Sequence, residues 1–169
     1  KKKLYATVTT AVRSYNQLRT IENSKKGLDM ILRASSELMT QEGLNNFSQG
    51  VIVPIAALLG VPPEGVICVR RRDEISDEKL MIIAAAGDYC SMIDRPLSAI
   101  SEDQVTAILR ESLDNRCNVF HQRGVGLYLG SSARGDMSCY VASNQPISDV
   151  DRGLLDIFCG NIALCADNI

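Results

Sequence analysis

Residues 65–69 (GVICV) and 80–86 (LMIIAAA) decide the fold of this chain. Both runs are short and apolar, which is typical of strands, and the charged stretch that joins them suits a hairpin loop. Each run is apolar at both alternating sets of positions. We therefore expect a sheet that is covered on both faces.

The pattern on either side of this hairpin predicts the rest of the architecture. Three further strands are predicted at 118–121, 125–130 and 137–142. A helix over 101–114, opened by a capping box at Ser101 and Gln104, separates them from the first two strands. With helices before residue 60 and after Ser148, the order predicts an α+β fold: a five- to six-stranded antiparallel sheet sandwiched by helices, with long N-terminal and C-terminal helices.

The two terminal helices carry apolar rows beyond those that a sheet needs. Heptad-like spacing marks a predicted dimer seam on the first helix, at Leu4, Val8, Ala11, Tyr15 and Leu18. On the last helix, Val150, Leu154, Ile157 and Leu164 form one row, and Leu155, Phe158, Ile162 and Cys165 form another. The sheet accounts for one row, so the first helix or a second copy of the chain is expected to cover the other.

Composition excludes several classes of protein. The chain has 169 residues, is 46% hydrophobic and 22% charged, and has a net charge of -2. These values are typical of a globular domain, and neither a membrane-spanning run nor a basic footprint for nucleic acid is present. The chain does not begin with Met and its start does not resemble a signal peptide, so we expect a piece of a longer cytoplasmic protein.

Few residues suggest chemistry within the chain itself. The single histidine, His121, lies on a predicted strand without a nucleophile motif, and a hairpin turn explains Gly124 and Gly126. The cysteines lack the spacing of metal ligands, so we predict no metal site. Because no catalytic or cofactor-binding motif is found either, we predict no cofactor and a protein that is not an enzyme. Cys90 and Cys117 remain redox candidates. The other four cysteines are expected to be small buried side chains, at Cys68, Cys139, Cys159 and Cys165.

A ligand pocket, if present, is predicted between the sheet, the 101–114 helix and the 88–100 loop. Five polar-tipped side chains are candidates to line it: Tyr89, Arg95, His121, Tyr128 and Tyr140. They would orient a small molecule, or they would close the core with satisfied hydroxyl groups. The residues leave these two alternatives open.

Two stretches carry a family resemblance, TVTTAVRSYNQLRTIENSKKGLDMILRASSELM and NNFSQGVIVPIAALLGVPPEGVICV. They resemble the uncharacterised domain that follows the receiver domain in a group of bacterial response regulators, and the element order looks like a GAF-type sensory domain. The resemblance implies a cytoplasmic signalling protein with a receiver upstream and an output domain downstream. It supplies no ligand, so no binding residue is carried over.

We therefore expect residues 1–24 to form a linker helix and residues 25–169 a GAF-like domain. The leading hypothesis is a non-catalytic regulatory module that couples the receiver to the output domain through helix dimerisation. One alternative is a small-molecule sensor. Another, by analogy with GAF-like proteins that reduce methionine sulfoxide, is a thiol-dependent reductase.

Overall fold

A computed structural model of the protein describes residues 44–70, 80–132 and 135–166, and before them residues 8, 11–15, 19, 22, 25–27 and 29. The strands are β1 (Gly65–Arg70), β2 (Leu80–Ala86), β3 (Val119–His121), β4 (Gly124–Ser132) and β5 (Gly135–Ala142). The α-helices outside the N-terminal part are α1 (Leu44–Leu59), α2 (Asp103–Asn115) and α3 (Asp149–Ala166).

The strands form one antiparallel sheet in the order β2-β1-β5-β4-β3. β1 is an interior strand of the sheet, between β2 and β5. An interior position explains why its sequence is apolar on both faces. The predicted α+β class and the predicted antiparallel sheet are confirmed.

Alternate side chains of β1 lie in two separate cores. Ile67 and Val69 belong to the core beneath α1 and α3, whereas Val66 and Cys68 belong to the core beneath α2. We call these two sides of the sheet the α1/α3 face and the α2 face. Both are covered by helices, as the apolar runs predicted.

α3 divides its apolar residues differently from the prediction. Leu154 is buried in the α1/α3 core together with Leu155, although the sequence placed these two residues in different rows and left open which row faces the sheet. Val150, Ile157 and Leu164 are exposed and form what we call the outer row of α3. The helix differs from the prediction because its buried stripe is wide enough to include both Leu154 and Leu155.

The two helix starts that the sequence predicted behave differently. Ser148 caps α3, because its hydroxyl oxygen accepts a hydrogen bond from the Asp151 N–H at 3.1 Å. The capping box predicted at Ser101 is wrong, since α2 begins after Glu102 and no side chain caps it. The Glu102 carboxylate accepts a hydrogen bond from the Tyr89 hydroxyl, which belongs to another segment of the chain.

The described residues between 8 and 29 are helical. Gly27 is buried, and a Cβ built on it would lie 2.6 Å from a methyl carbon of Leu154, so this part of the chain closely approaches α3. Of the predicted dimer seam, Val8, Ala11 and Tyr15 are exposed, while Leu4 and Leu18 lie outside the described residues. The seam and the domain boundary after residue 24 stay predictions. No helix among the described residues has the length and apolar character needed to cross a bilayer.

Candidate functional site: a closed face and an open groove

Side chains fill the space where the ligand pocket was predicted. Tyr89 and Tyr140 lie together on the α2 face with their rings edge to face, at 6.4 Å between centroids and 85° between planes. The Tyr89 hydroxyl donates to Oε2 of Glu102 at 2.5 Å, and the Tyr140 hydroxyl donates to the carbonyl oxygen of Arg123 at 3.0 Å. Both hydroxyl groups therefore have partners within the chain.

The surroundings of these tyrosines keep both hydroxyls protonated. Burial, and then the hydrogen bond and charge of Glu102, raise the pKa of Tyr89 above its ordinary value. Burial, and then the charges of Glu102 and Glu64, also raise the pKa of Tyr140. Of the two alternatives left open by the sequence, this geometry matches hydroxyl groups that close the core, and a ligand role for the tyrosines stays a prediction.

The other three predicted pocket residues contact different parts of the molecule. Arg95 is exposed, and its main-chain carbonyl accepts the N–H of Ile82. Tyr128 donates its hydroxyl to Asp136 at 3.2 Å across the β4–β5 ladder. His121 lies at the end of β3. The five candidates do not form one site.

Two glycines of the β3–β4 region serve packing. Gly124 pairs with His121 across a two-residue turn, and a side chain on it would run into the ring of Tyr140. A Cβ on Gly126 would lie 2.7 Å from Cγ2 of Ile108 and 2.9 Å from its carbonyl oxygen, so α2 closely approaches the sheet there. This supports the interpretation that these glycines are not a phosphate-binding loop.

An open groove of about 540 Å³ lies beside the β3–β4 turn, and we call it the β3–β4 groove. It is lined by Phe120, His121, Gln122, Arg123, Asn144, Gln145, Pro146, Ile147 and Arg152. Two of these side chains are guanidinium groups, three are carboxamides, and none is a carboxylate. The guanidinium groups therefore give the lining positive charge, and the carboxamides add both hydrogen-bond donors and acceptors.

Two segments that are distant in sequence build this groove. The turn residue Arg123 is anchored through its carbonyl oxygen, which accepts the Tyr140 hydroxyl and also the N–H of Ser143 at 3.1 Å. From the first turn of α3, the guanidinium carbon of Arg152 lies 4.7 Å from the ring centroid of Phe120. This cation–π contact joins the β3–β4 hairpin to the start of α3.

The acidic side chains near the groove have partners of their own. Nε2 of His121 lies 3.0 Å from a carboxylate oxygen of Glu111 on α2. The carboxylate of Asp151 accepts a hydrogen bond from the Ser148 hydroxyl, with 2.6 Å between the two oxygen atoms. These contacts give two nearby carboxylates partners within the chain, and neither carboxylate lines the groove.

Of the five predicted pocket residues, one, His121, lines this groove, which is not the space where the pocket was predicted. Sequence reasoning missed Phe120, Arg123 and Arg152. The tight turn at Gln122 and Arg123 was the one local signal available. The pairing of Phe120 with Arg152 requires knowing that α3 begins beside the β3–β4 hairpin, and no local pattern states this.

Three of the four cysteines that were expected to be buried are buried in the structure. Cys68, Cys139 and Cys159 are buried, and burial raises the pKa of Cys68 and of Cys159 to about 12. Cys90 and Cys117 are free and exposed. Cys165 lies where side chains are not described. A redox role for Cys90 or Cys117 stays a prediction.

Within the described part of the chain, no group of three or more His, Cys, Asp or Glu side chains is placed to hold a metal ion.

Residues 8–169 match the protein family described as "Domain of unknown function (DUF3369)". The chain belongs to this family. Its fold is similar to that of the GAF domain of a phosphoenolpyruvate-protein phosphotransferase from Acinetobacter, with a TM-score of 0.62 over 83% of this chain and 92% of that one. At 13% identity the likeness concerns the fold alone. It confirms the predicted GAF-like architecture for this DUF3369 member.

The chain is also similar to the protein named 3'3'-cGAMP-specific phosphodiesterase 2 from Vibrio cholerae serotype O1. The two are 25% identical over 169 residues, which is 99% of this chain and 32% of that protein. The chain thus spans about a third of the length of this relative. Our prediction that the protein is not an enzyme is corrected by this finding, because the relative is named as an enzyme. A neighbouring receiver domain stays a prediction.

Proposed function

We propose that this chain is the regulatory domain of a signalling phosphodiesterase that acts on cyclic dinucleotides. A relative that the whole chain matches is named as such an enzyme, and the GAF-like fold supports a regulatory part in it. In this proposal the domain carries a conformational change from an upstream receiver to a downstream output domain of the same cytoplasmic protein. It does so as a homodimer joined through its terminal helices.

The observation that carries the proposal is the outer row of α3. Val150, Ile157 and Leu164 recur at heptad spacing and are 39%, 48% and 72% exposed. The opposite side of the same helix is buried in the α1/α3 core. A helix that has already filled its own core and still presents a heptad row has the pattern of a helix that pairs with another helix.

A second exposed row on the N-terminal helical residues supports the same interface. Val8 and Tyr15 are seven residues apart and are 55% and 64% exposed. The close approach of Gly27 to Leu154 connects this part of the chain to α3. A shift of the N-terminal helical residues therefore reaches the helix that carries the outer row. Paired helices with two packing arrangements are a known switching element.

Sedimentation equilibrium of the chain tests the dimer. We expect the wild type at twice the monomer mass and Ile157→Asp at the monomer mass, since a carboxylate in an apolar helix seam is left without a partner. Ala107→Asp is the matched control, because Ala107 is exposed on α2, on the other face of the sheet. It is expected to remain dimeric.

Monomeric wild-type protein, or the same mass for both variants, would remove the interface from the proposal. The regulatory role is tested by the rate at which the longer protein hydrolyses 3'3'-cGAMP. Ile157→Asp is expected to change that rate and Ala107→Asp to leave it unchanged. Equal rates for all three proteins would contradict regulation through α3.

A further inference from the structure

The β3–β4 groove has the size of a small-molecule site. Its volume of about 540 Å³ lies within the range of roughly 300–1,000 Å³ that is usual for such sites. The sheet edge, the hairpin and the first turn of α3 form its walls. It lies away from the α2 face, where the pocket of this domain was predicted.

The charge of the groove is opposite to that of the chain. The protein as a whole has a net charge of -2, yet the charged side chains lining the groove are those of Arg123 and Arg152. Both are exposed and come from different segments. A guanidinium group presents a planar set of N–H donors that matches two phosphate oxygens at once. Two of them in one groove favour a ligand with a phosphate group.

The remaining lining exceeds what a bare anion needs. The side chains of Gln122, Asn144 and Gln145 each offer both a donor and an acceptor, which is the combination that the edge of a nucleobase requires. Phe120 and Ile147 add apolar surface, and the plane of a base stacks on rings and guanidinium groups of this kind. Phosphate, base edge and base plane each have complementary groups here.

We propose that the β3–β4 groove binds a phosphorylated nucleotide and that this nucleotide is the signal the domain reads. Binding between Arg123 and Arg152 joins the hairpin to the first turn of α3, the helix that carries the outer row. The proposal deepens the regulatory function above by naming its input. The readout through α3 rests on that proposed function, whereas the binding of the nucleotide to the groove does not depend on it.

Isothermal titration calorimetry at low salt tests the site, with GMP, AMP and 3'3'-cGAMP as phosphorylated probes and guanosine and inorganic phosphate as partial ones. We expect saturable binding of at least one phosphorylated nucleotide. Guanosine and inorganic phosphate should each bind with an affinity at least about tenfold lower. Arg123→Gln should weaken that binding by about tenfold or more, because it removes one charged donor group.

Arg95→Gln is the matched control, since it makes the same change of charge at an exposed arginine outside the groove. It should leave the affinity within about twofold, as for a distant surface charge. Arg152→Gln provides a second test from the other wall, and the thermal unfolding of each variant checks that it is folded. The proposal is overturned by no binding of any phosphorylated probe. It is equally overturned by guanosine or inorganic phosphate binding as tightly as the nucleotides, or by an equal loss in Arg95→Gln.

The two proposals fail in different measurements. A monomeric chain that binds GMP through Arg123 would contradict the dimer and retain the groove. A dimer whose calorimetry shows no phosphorylated ligand would retain the dimer and contradict the groove.

Discussion

The α2 face and the β3–β4 groove both carry polar side chains of the kind that recognise ligands, yet the described residues arrange them differently. On the α2 face, the hydroxyls of Tyr89 and Tyr140 are bound by Glu102 and by the carbonyl of Arg123. In the groove, guanidinium and carboxamide groups face an open space. The difference teaches that a polar group in a core must find its partner inside the protein, whereas a polar group at a surface is free to serve a ligand.

The largest expected effect is at the point where α2 touches the sheet. Gly126→Ala places a Cβ 2.9 Å from the carbonyl oxygen of Ile108, and the backbone of α2 must move to make room. Overpacking of this kind costs about 1–3 kcal/mol, and we expect the upper end because a main-chain atom is involved. Chemical denaturation followed by circular dichroism measures the loss.

Gly153→Ala is the matched control for that variant. Gly153 lies inside α3 with nothing within 4 Å of a built Cβ. Ala is favoured over Gly in a helix by about 1 kcal/mol, so this variant should be as stable as the wild type or more so. Equal losses in the two proteins would show that the α2 face is not closely packed.

The next effect concerns the tyrosines that close the α2 face. Tyr89→Phe removes the hydrogen bond to Glu102 and should lower the free energy of unfolding by about 1 kcal/mol at neutral pH. The exposed Glu102 carboxylate turns to water, which keeps the cost small.

The same variant should also differ from the wild type in how the free energy of unfolding changes at alkaline pH. The pKa of Tyr89 is raised by folding, so its contribution to stability is intact below the unfolded value of about 10 and is lost as the pH rises beyond it. The free energy of unfolding of the wild type should therefore fall more steeply above about pH 10 than that of Tyr89→Phe. Tyr140, whose pKa is raised as well, leaves a residual slope in the variant. If the free energies of unfolding of the two proteins fell in parallel above about pH 10, Tyr89 would not be held in its neutral form by folding.

The smallest effect is expected in the groove. Arg152→Gln removes a cation–π contact with Phe120, which is worth about 0.5–1 kcal/mol at an exposed site. The free energy of unfolding should fall by no more than this, and Arg95→Gln, which contacts no ring among the described residues, should leave it unchanged. A loss as large as that of Gly126→Ala would make the groove a structural element and not a place kept open for a ligand.

The strands could be predicted from the sequence because their signals are local. The run 80–86 was predicted with the bounds that the structure shows, and the run 65–69 is extended by one residue. Ser148 was likewise predicted as a cap, since its partner Asp151 is three residues away. The predicted capping of α2 was wrong. Glu102, the residue before the helix, instead accepts a hydrogen bond from Tyr89, a residue that the intervening loop brings close to it.

The groove could not be predicted in this way, because it is built by contacts between distant segments. Tyr89 and Tyr140 were expected near one another and they are, because Tyr140 lies on β5 and Tyr89 follows β2 on the same side of the sheet. Both tyrosines belong to a buried core that includes Leu97, Ile100 and Val105, and such packing is decided by contacts between distant segments. The groove depends on α3 beginning beside the β3–β4 hairpin.

The sequence by itself determined the class of fold, the places of the strands and the surplus apolar rows of the terminal helices. Periodicity and capping act between residues a few positions apart, so the chain states them directly. The tertiary structure alone decided that the expected pocket is filled and that Arg123 and Arg152 share an open groove. Contacts between distant segments depend on how closely helices pack on the sheet, and at Gly126 the absence of a Cβ permits the close approach of α2.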